Sequence, residues 1–179
     1  MIERIRLWWK FDGRYYHKYF VYGIKNLWKW FPAVWRDRDW DPYYIYSVLI
    51  HKLEKQATYI HKCGNHVSAE RDAEKMFLCA RLARIQQEEL YMDEYYDTYK
   101  MKFEFVPTDE TEKWFTMETE ITSENFIDYF AKYPRQYRLI DKTDKEKNEI
   151  AREIAYRNQE RSRKLLFKIM EENIERWWN

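Results

Sequence analysis

The sequence predicts a mainly α-helical fold, with an antiparallel helical hairpin, a long C-terminal helix and a small β-hairpin excursion. The 179 residues contain only three Gly and four Pro, which leaves long stretches without helix breakers. Apolar residues recur at helical spacing through residues 45–60 and 69–90. Residues 141–178 contain neither Gly nor Pro. Length and composition favour one domain over residues 1–179.

Two helices are predicted at the start of the chain, over residues 2–11 and 14–31, with a break around Asp12-Gly13. The second helix is expected to end at Pro32, because proline disfavours helical backbone in the residue before it.

A helical hairpin follows, and its ends carry local signals. Asp41 suits an N-cap, Pro42 suits the first helical position, and Gly64 suits a left-handed C-cap. Ser68 can cap the second helix, which we expect to reach about Lys100. The first helix is expected to face inward with Ile45, Val48, Leu49, Leu53, Ala57 and Ile60, and the second with Ala69, Ala73, Met76, Ala80, Ala83 and Leu90.

The spacing of apolar and polar residues changes twice after residue 100. Residues 101–122 alternate apolar and polar side chains, which predicts a β-hairpin, and a short helix over 123–133 is expected to stop at Pro134. A helix over 141–178 would span more than about 50 Å. Its end, with Trp177 and Trp178, is therefore expected to project or to pack on a second copy. Its expected inward residues are Ile150, Ile154, Leu165, Ile169 and Ile174.

Composition excludes several classes of protein. With 32 basic and 31 acidic residues, the net charge of +1 creates no long-range attraction to bulk nucleic acid. No apolar stretch is long enough to span a bilayer, so no membrane partner is expected. Cys63 and Cys79 lie outside any secretory context and are expected to be reduced thiols in a cytosol. No phosphate-binding glycine loop or nucleophile motif occurs, so we expect neither catalysis nor a cofactor.

The segment 28–46 is the lead candidate for a site, since it holds four Trp, three Tyr and two Arg. Arg36 and Arg38 could grip phosphate oxygens, because a guanidinium matches them with two hydrogen bonds. Trp35, Tyr43 or Tyr44 could stack on a base beside the helix start at Pro42. A structural corner, with Arg and Asp neutralising each other, is the alternative interpretation.

Three further positions are weaker candidates for the same ligand site: His51, Arg71 and Arg161. Arg161 belongs to a run without apolar residues, 157–164, which could complete an anion site or form a solvated helix face. His61, Cys63 and His66 are too few to indicate a metal site, so none is expected.

A metal-dependent nucleotide hydrolase would need facing Glu-x-x-Glu pairs. The pairs starting at Glu146 and Glu172 lie 26 residues apart on one predicted helix. That spacing separates them by about 39 Å, so they cannot share a metal within one chain.

The sequence resembles a family of small proteins of tailed bacteriophages. The resemblance is carried by Trp-Trp-Lys-Phe-Asp-Gly-Arg-Tyr-Tyr-His-Lys (8–18) and by Trp-Phe-Pro-Ala-Val-Trp-Arg-Asp-Arg-Asp-Trp-Asp-Pro-Tyr-Tyr (30–44). It continues through His51-Lys52-Leu53 and Arg71-Asp72-Ala73-Glu74, then fades after about residue 100. It implies a place in the cytoplasm of an infected bacterium. It also suggests a kinship with anti-CBASS sponges, which sequester cyclic nucleotide signals without cleaving them.

These observations together predict a non-catalytic, phage-encoded homo-oligomer that sequesters a cyclic (oligo)nucleotide immune signal and so blocks host defence. Stacking rings and cationic side chains are what such a ligand requires. The first alternative is a protein-interaction module that binds a host protein through an aromatic patch. The second alternative is the metal-dependent nucleotide hydrolase.

Overall fold

The structure is a computed structural model, and it describes residues 2–10, 14–35, 41–64, 67–108 and 114–178. The chain is mainly α-helical with one two-stranded antiparallel sheet, as the sequence predicts. In chain order the elements are α1 (Ile2–Trp8), α2 (Arg14–Val34), α3 (Pro42–Cys63), α4 (Ala69–Gln87), α5 (Leu90–Tyr96), β1 (Tyr99–Pro107), β2 (Phe115–Glu124), α6 (Phe126–Lys132), α7 (Pro134–Leu139), α8 (Lys147–Asn173) and a 3₁₀ helix (Ile174–Trp178).

Helix α2 continues past Pro32, so the prediction that it stops there is wrong. The backbone N–H of Trp35 donates to the Phe31 carbonyl at 2.8 Å, which closes one more turn. Pro32 has no N–H to donate to the Trp28 carbonyl, and the helix continues for its last turn in spite of this loss.

The helical hairpin of α3 and α4 has its predicted start. An Asp41 carboxylate oxygen accepts the Tyr43 N–H at 2.8 Å, and Pro42 occupies the first turn. Gly64 ends α3, but its φ of −70° is not left-handed. Glycine is needed there for another reason, since a Cβ would lie 2.5 Å from the Ile60 carbonyl oxygen. Of the predicted inward residues of α3, Ile45 is instead 71% exposed.

The second helix of the hairpin breaks earlier than predicted. Helix α4 ends at Gln87, Glu89 takes a left-handed φ of 46°, and α5 starts at Leu90. Leu90 is therefore exposed rather than inward. The break turns α5 so that it packs on α8. It is set by this packing, and no Gly or Pro marks it in the sequence.

Strands β1 and β2 form the predicted β-hairpin, and it projects from the helices. Apart from Tyr99, the described strand residues are all exposed. One face carries the apolar pairs Met101–Ile121 and Phe105–Met117, and the other carries Lys102–Glu120 and Glu104–Glu118. Pro134 stops α6 as predicted, but it also opens α7.

Helix α8 starts at Lys147, six residues later than predicted. The Asp141 carboxylate accepts hydrogen bonds from the backbone N–H and the hydroxyl of Thr143, which holds the preceding residues in a turn. Glu146 and Glu149 then form a capping box.

The 3₁₀ helix packs inside this chain through Trp177, so the expectation that this residue projects or packs on a second copy is wrong. Trp177 is only 3% exposed, and the Gln56 side chain of α3 donates to its carbonyl at 2.8 Å. Among the expected inward residues, Ile150 and Ile154 are buried, whereas Leu165 is exposed and its neighbour Leu166 is buried.

Two hydrophobic clusters meet along α8. The first joins α3, α4, Leu166 and Trp177, and the second joins α5, α6, Ile150 and Ile154. The polar run of α8 lies between them. There the Gln86 amide of α4 donates to the Gln159 carbonyl at 3.1 Å and to the Ser162 hydroxyl, with Asn158 buried beside them. The inward positions of the interruption, Asn158 and Ser162, thus form a buried polar junction.

Candidate functional site

A groove of about 1290 Å³ lies between α2, α3 and the 3₁₀ helix. We call it the cationic groove, because four lysines line it. Its principal lining residues are Lys29, Trp30, His51, Lys52, Lys55, Tyr59, Lys62, Cys63 and Trp177. No acidic residue occurs among the described lining residues.

One face of α3 supplies most of the groove. Lys52, Lys55, Tyr59 and Lys62 follow the spacing i, i+3, i+7 and i+10, which places them on one side of a helix. The opposite face of α3 carries Leu53, Ala57 and Ile60 into the first hydrophobic cluster. The core therefore fixes which way the cationic face points.

Helix α2 contributes the second wall through Lys29 and Trp30. The Trp30 ring lies 4.9 Å from the His51 ring, centroid to centroid, and the Lys55 ammonium lies 5.3 Å from the Trp30 centroid. A cation at that distance from an indole face is attracted by its π electrons. Trp30 thereby joins α2 to α3 and holds His51 and Lys55 at the same place.

The electrostatics of the groove favour an anion. Burial lowers the pKa of Lys55, and the positive charges of Lys29 and Lys52 lower it further. The buried Lys55 nitrogen has no hydrogen-bond acceptor among the described residues. A bound anion would offset the repulsion from Lys29 and Lys52 and would supply an acceptor for the Lys55 ammonium.

Two more nitrogen atoms in the groove lack partners within the described parts of the chain. They are His51 Nε2 and the indole Nε1 of Trp177, and both are shielded from solvent. Buried donors in folded proteins are normally satisfied. The three residues that carry these nitrogens all line the groove, and the nitrogens themselves are shielded from solvent.

The predicted stacking residues lie outside this groove. Trp35 follows α2, is 69% exposed and packs against Phe31 at 4.9 Å between centroids. Tyr43 and Tyr44 form an edge-on pair at 5.2 Å in the first turn of α3. The predicted phosphate-binding residues Arg36 and Arg38 lie outside the described residues, so this part of the prediction stays a prediction.

Of the weaker candidates, only His51 lies in the groove. Arg71 and Arg161 are exposed on α4 and α8, and the structure does not bring them together. Within the run 157–164, Arg157 pairs with Glu153 at 2.7 Å and Lys164 pairs with Glu160 at 2.8 Å. These two cations are already neutralised within their own helix.

The residues that could ligate a metal do not converge. The described parts of the chain contain no group of three or more His, Cys, Asp or Glu side chains arranged to hold an ion. His61 and Cys63 are exposed, and His66 lies outside the described residues. Cys79 is fully buried, and burial raises the pKa of its thiol to about 11.

Sequence reasoning missed Lys29, Lys55, Tyr59, Lys62 and the indole of Trp177. The helical spacing of the three lysines and the tyrosine on α3 was the sequence pattern that could have indicated these residues. What the sequence does not contain is the packing of Trp30 on His51, which turns that stripe into the wall of a groove.

Within the described ranges, no helix is long and apolar enough to cross a bilayer. Comparison of the chain with protein-family models, with curated proteins and with solved structures finds no match.

Proposed function

We propose that this chain is a non-catalytic binding protein for a nucleotide-class anion, which it holds in the cationic groove. The observation that carries the proposal is the convergence of Lys29, Lys52 and Lys55 beside Trp30 and His51. Clustered cations next to aromatic rings suit phosphates joined to bases.

The proposed contacts follow from the chemistry of each group. Lys29 and Lys55 would bind phosphate oxygens as point charges, and His51 Nε2 would donate a further hydrogen bond when it carries a proton. Tyr59 is 67% exposed at the groove and offers a free ring face for a base. The groove exceeds the roughly 300–1,000 Å³ typical of small-molecule sites, so two bases and two phosphates would fit.

The biological role is proposed on the resemblance to the phage family. A cyclic (oligo)nucleotide immune signal is the proposed ligand, and its sequestration in the cytoplasm of an infected bacterium would block host defence. The groove supports the chemical class of the ligand, and the resemblance supplies the identity and the role.

The test is thermal unfolding of the purified chain with cyclic di-AMP, cyclic di-GMP, cyclic GMP-AMP and cyclic triadenylate. A ligand at about one hundred times its Kd stabilises a protein by about 2.7 kcal/mol. For a chain of this size that corresponds to a rise in Tm of roughly 5–10 °C. Ligand recovered unchanged after heat denaturation of the complex would support binding without cleavage.

Two matched double variants locate the site. Lys29→Ala with Lys55→Met should abolish the rise in Tm, whereas Arg36→Ala with Arg38→Ala should preserve it. The reverse pattern would place the ligand at the aromatic and arginine segment. No rise with any of the four nucleotides would refute the proposed ligand class.

Homo-oligomerisation, expected from the sequence, is proposed here on a different surface. The accessible surface is 14592 Å² for 22.7 kDa, against roughly 9,500 Å² for a compact monomer of that mass. The apolar face of the β-hairpin, with Phe103 and Phe105 more than half exposed, is the proposed contact between copies. Light scattering after size exclusion should show an oligomer that Phe103→Lys with Phe105→Lys dissociates, while Glu104→Lys with Glu118→Lys on the opposite face leaves it assembled.

The alternative of a protein-interaction module is favoured by the same apolar hairpin face. It predicts a monomer whose hairpin captures a host protein, and whose Tm is unchanged by every nucleotide. No observation on the described residues supports the metal-dependent hydrolase. Release of product from labelled nucleotides with Mg²⁺ or Mn²⁺ would establish it.

A further inference from the structure

Helix α2 carries two opposed faces, and the described parts of the chain cover neither of them. Within α2, Trp30 and Ala33 are half-buried against the body, and the other described side chains are exposed. The apolar face follows the spacing i, i+4, i+7, i+11 and i+14, and it consists of Phe20, Ile24, Leu27, Phe31 and Val34.

The apolar face is large and continuous. Phe20 and Leu27 are each 68% exposed, and Trp28 beside them is 74% exposed. Ile24, Leu27, Trp28, Trp30, Phe31 and Val34 together line an open apolar groove of about 420 Å³. Side chains of this size and exposure mark a binding surface rather than an ordinary helix exterior.

The charge of the helix is of one sign. Residues 14–35 contain four basic residues and no Asp or Glu, although the whole chain is almost neutral. Lys18, Lys25 and Lys29 lie on one side, about 160° around the helix from the apolar face at 3.6 residues per turn. Trp28 and Trp35 lie between the two faces, where amphipathic rings favour a boundary between apolar and polar surroundings.

We propose that α2 binds in the plane of an anionic lipid bilayer, with its apolar face in the acyl boundary and its lysines on the opposite side, within the electrostatic field of the lipid phosphates. A strongly amphipathic, basic and aromatic-rich helix has the chemistry of an interfacial helix. A helix is about 10 Å across, so its lysines stay within about one Debye length of the headgroups at physiological salt.

Helix α1 extends the same chemistry. Ile5, Leu7 and Trp9 are each more than half exposed, and Ile5 and Trp9 line a second open apolar surface with Arg6 and Lys10. Surface binding of this kind needs no spanning segment. It is therefore compatible with the absence of a spanning helix among the described residues.

The test is flotation of the full chain with vesicles of equal parts phosphatidylglycerol and phosphatidylcholine, beside vesicles of phosphatidylcholine alone. The chain should float with the anionic vesicles, weakly or not at all with the neutral ones, and less at high salt. Lys18→Glu with Lys25→Glu should weaken binding by at least about 25-fold, because each lost basic residue near the surface contributes about fivefold and each new glutamate adds repulsion. Phe20→Ser and Leu27→Ser should each weaken it by at least about tenfold.

Matched controls separate this effect from general changes in charge or hydrophobicity. Arg135→Glu with Arg138→Glu changes the charge equally on α7, and Ile127→Ser removes an apolar side chain that is 76% exposed on α6. Both should bind vesicles as the natural chain does. Lys55→Met should also retain vesicle binding, which separates this proposal from the nucleotide proposal.

Three outcomes would overturn the inference. The first is a failure of the natural chain to float with anionic vesicles. The second is equal binding by the Lys18 and Lys25 double variant. The third is an oligomer, observed without lipid, that Phe20→Ser or Leu27→Ser dissociates, because a second copy would then cover the apolar face.

Discussion

Lys55→Met is expected to stabilise the ligand-free protein while it abolishes anion binding. A buried donor without an acceptor lowers the stability of the folded chain by about 1–3 kcal/mol, and Lys55→Met removes this cost. The substitution also removes the contact with the Trp30 ring, which lowers stability by about 0.5–1 kcal/mol. The net gain is therefore about 1 kcal/mol. For a chain of this length it corresponds to a rise in Tm of about 2–4 °C.

Lys75→Met is the matched control, because its ammonium group already donates to the Asn173 side chain of α8. Removing a satisfied hydrogen bond and leaving its acceptor unpaired should lower stability by about 1–3 kcal/mol. The two lysine substitutions should thus shift the urea midpoint in opposite directions at neutral pH. Pyrophosphate, a simple anionic probe, should raise the Tm of the natural chain and of Lys75→Met but not that of Lys55→Met.

The difference in stability between Lys55→Met and the natural chain should depend on pH, and this dependence provides an independent check. The pKa of Lys55 is lower in the folded chain than the ordinary lysine value of 10.5. Between those two values the unfolded state binds more protons than the folded state, so the natural chain gains stability as pH rises. The advantage of Lys55→Met should shrink over that window. A destabilised Lys55→Met, or an advantage that does not change with pH, would refute the assignment of Lys55 as an unpaired cation.

Three further predictions concern the walls of the groove and the packing behind it. Trp177→Ala should lower stability by about 3–5 kcal/mol, measured by urea unfolding, because it empties a site in the first hydrophobic cluster. Gly64→Ala should cost about 1–3 kcal/mol in the same assay, since the added Cβ meets the Ile60 carbonyl; an unchanged midpoint would show that the turn can shift freely. In the native chain, Cys63 should react quickly with a maleimide and Cys79 slowly, because Cys79 is buried with its pKa raised to about 11. A nucleotide that occupies the groove should slow Cys63, and equal rates for the two thiols would contradict the described burial.

Local signals predicted the parts of the fold that depend on neighbouring residues. Asp41 and Pro42 start α3 because a cap and a fixed φ act within one turn. The alternation in 101–122 predicted the β-hairpin for the same reason. The break at Glu89 was not predictable, because it is set by the packing of α5 on α8 rather than by a Gly or Pro.

The site was less predictable than the fold. The lysine stripe of α3 is local and could be found, but its partner Trp30 lies 21 residues before His51 in the chain. The polar run of α8 was interpreted as a ligand site or a solvated face. Its exposed residues do form a solvated face, whereas on the inner side Gln159 and Ser162 accept hydrogen bonds from Gln86, which lies 76 residues before Ser162. Contacts across such separations leave no periodic signal.

Helix α8 lies far along the sequence from the helices on which it packs, and this separation sets the order in which the chain can fold during synthesis. Helices α3 and α4 emerge early, but the first hydrophobic cluster lacks Leu166 and Trp177 until the last residues of α8 and the 3₁₀ helix have left the exit tunnel. A nascent chain at that stage exposes apolar surface and is prone to aggregate. A premature stop before Trp177 should therefore yield chains that depend on chaperones, even though the cationic residues of α2 and α3 are already synthesised.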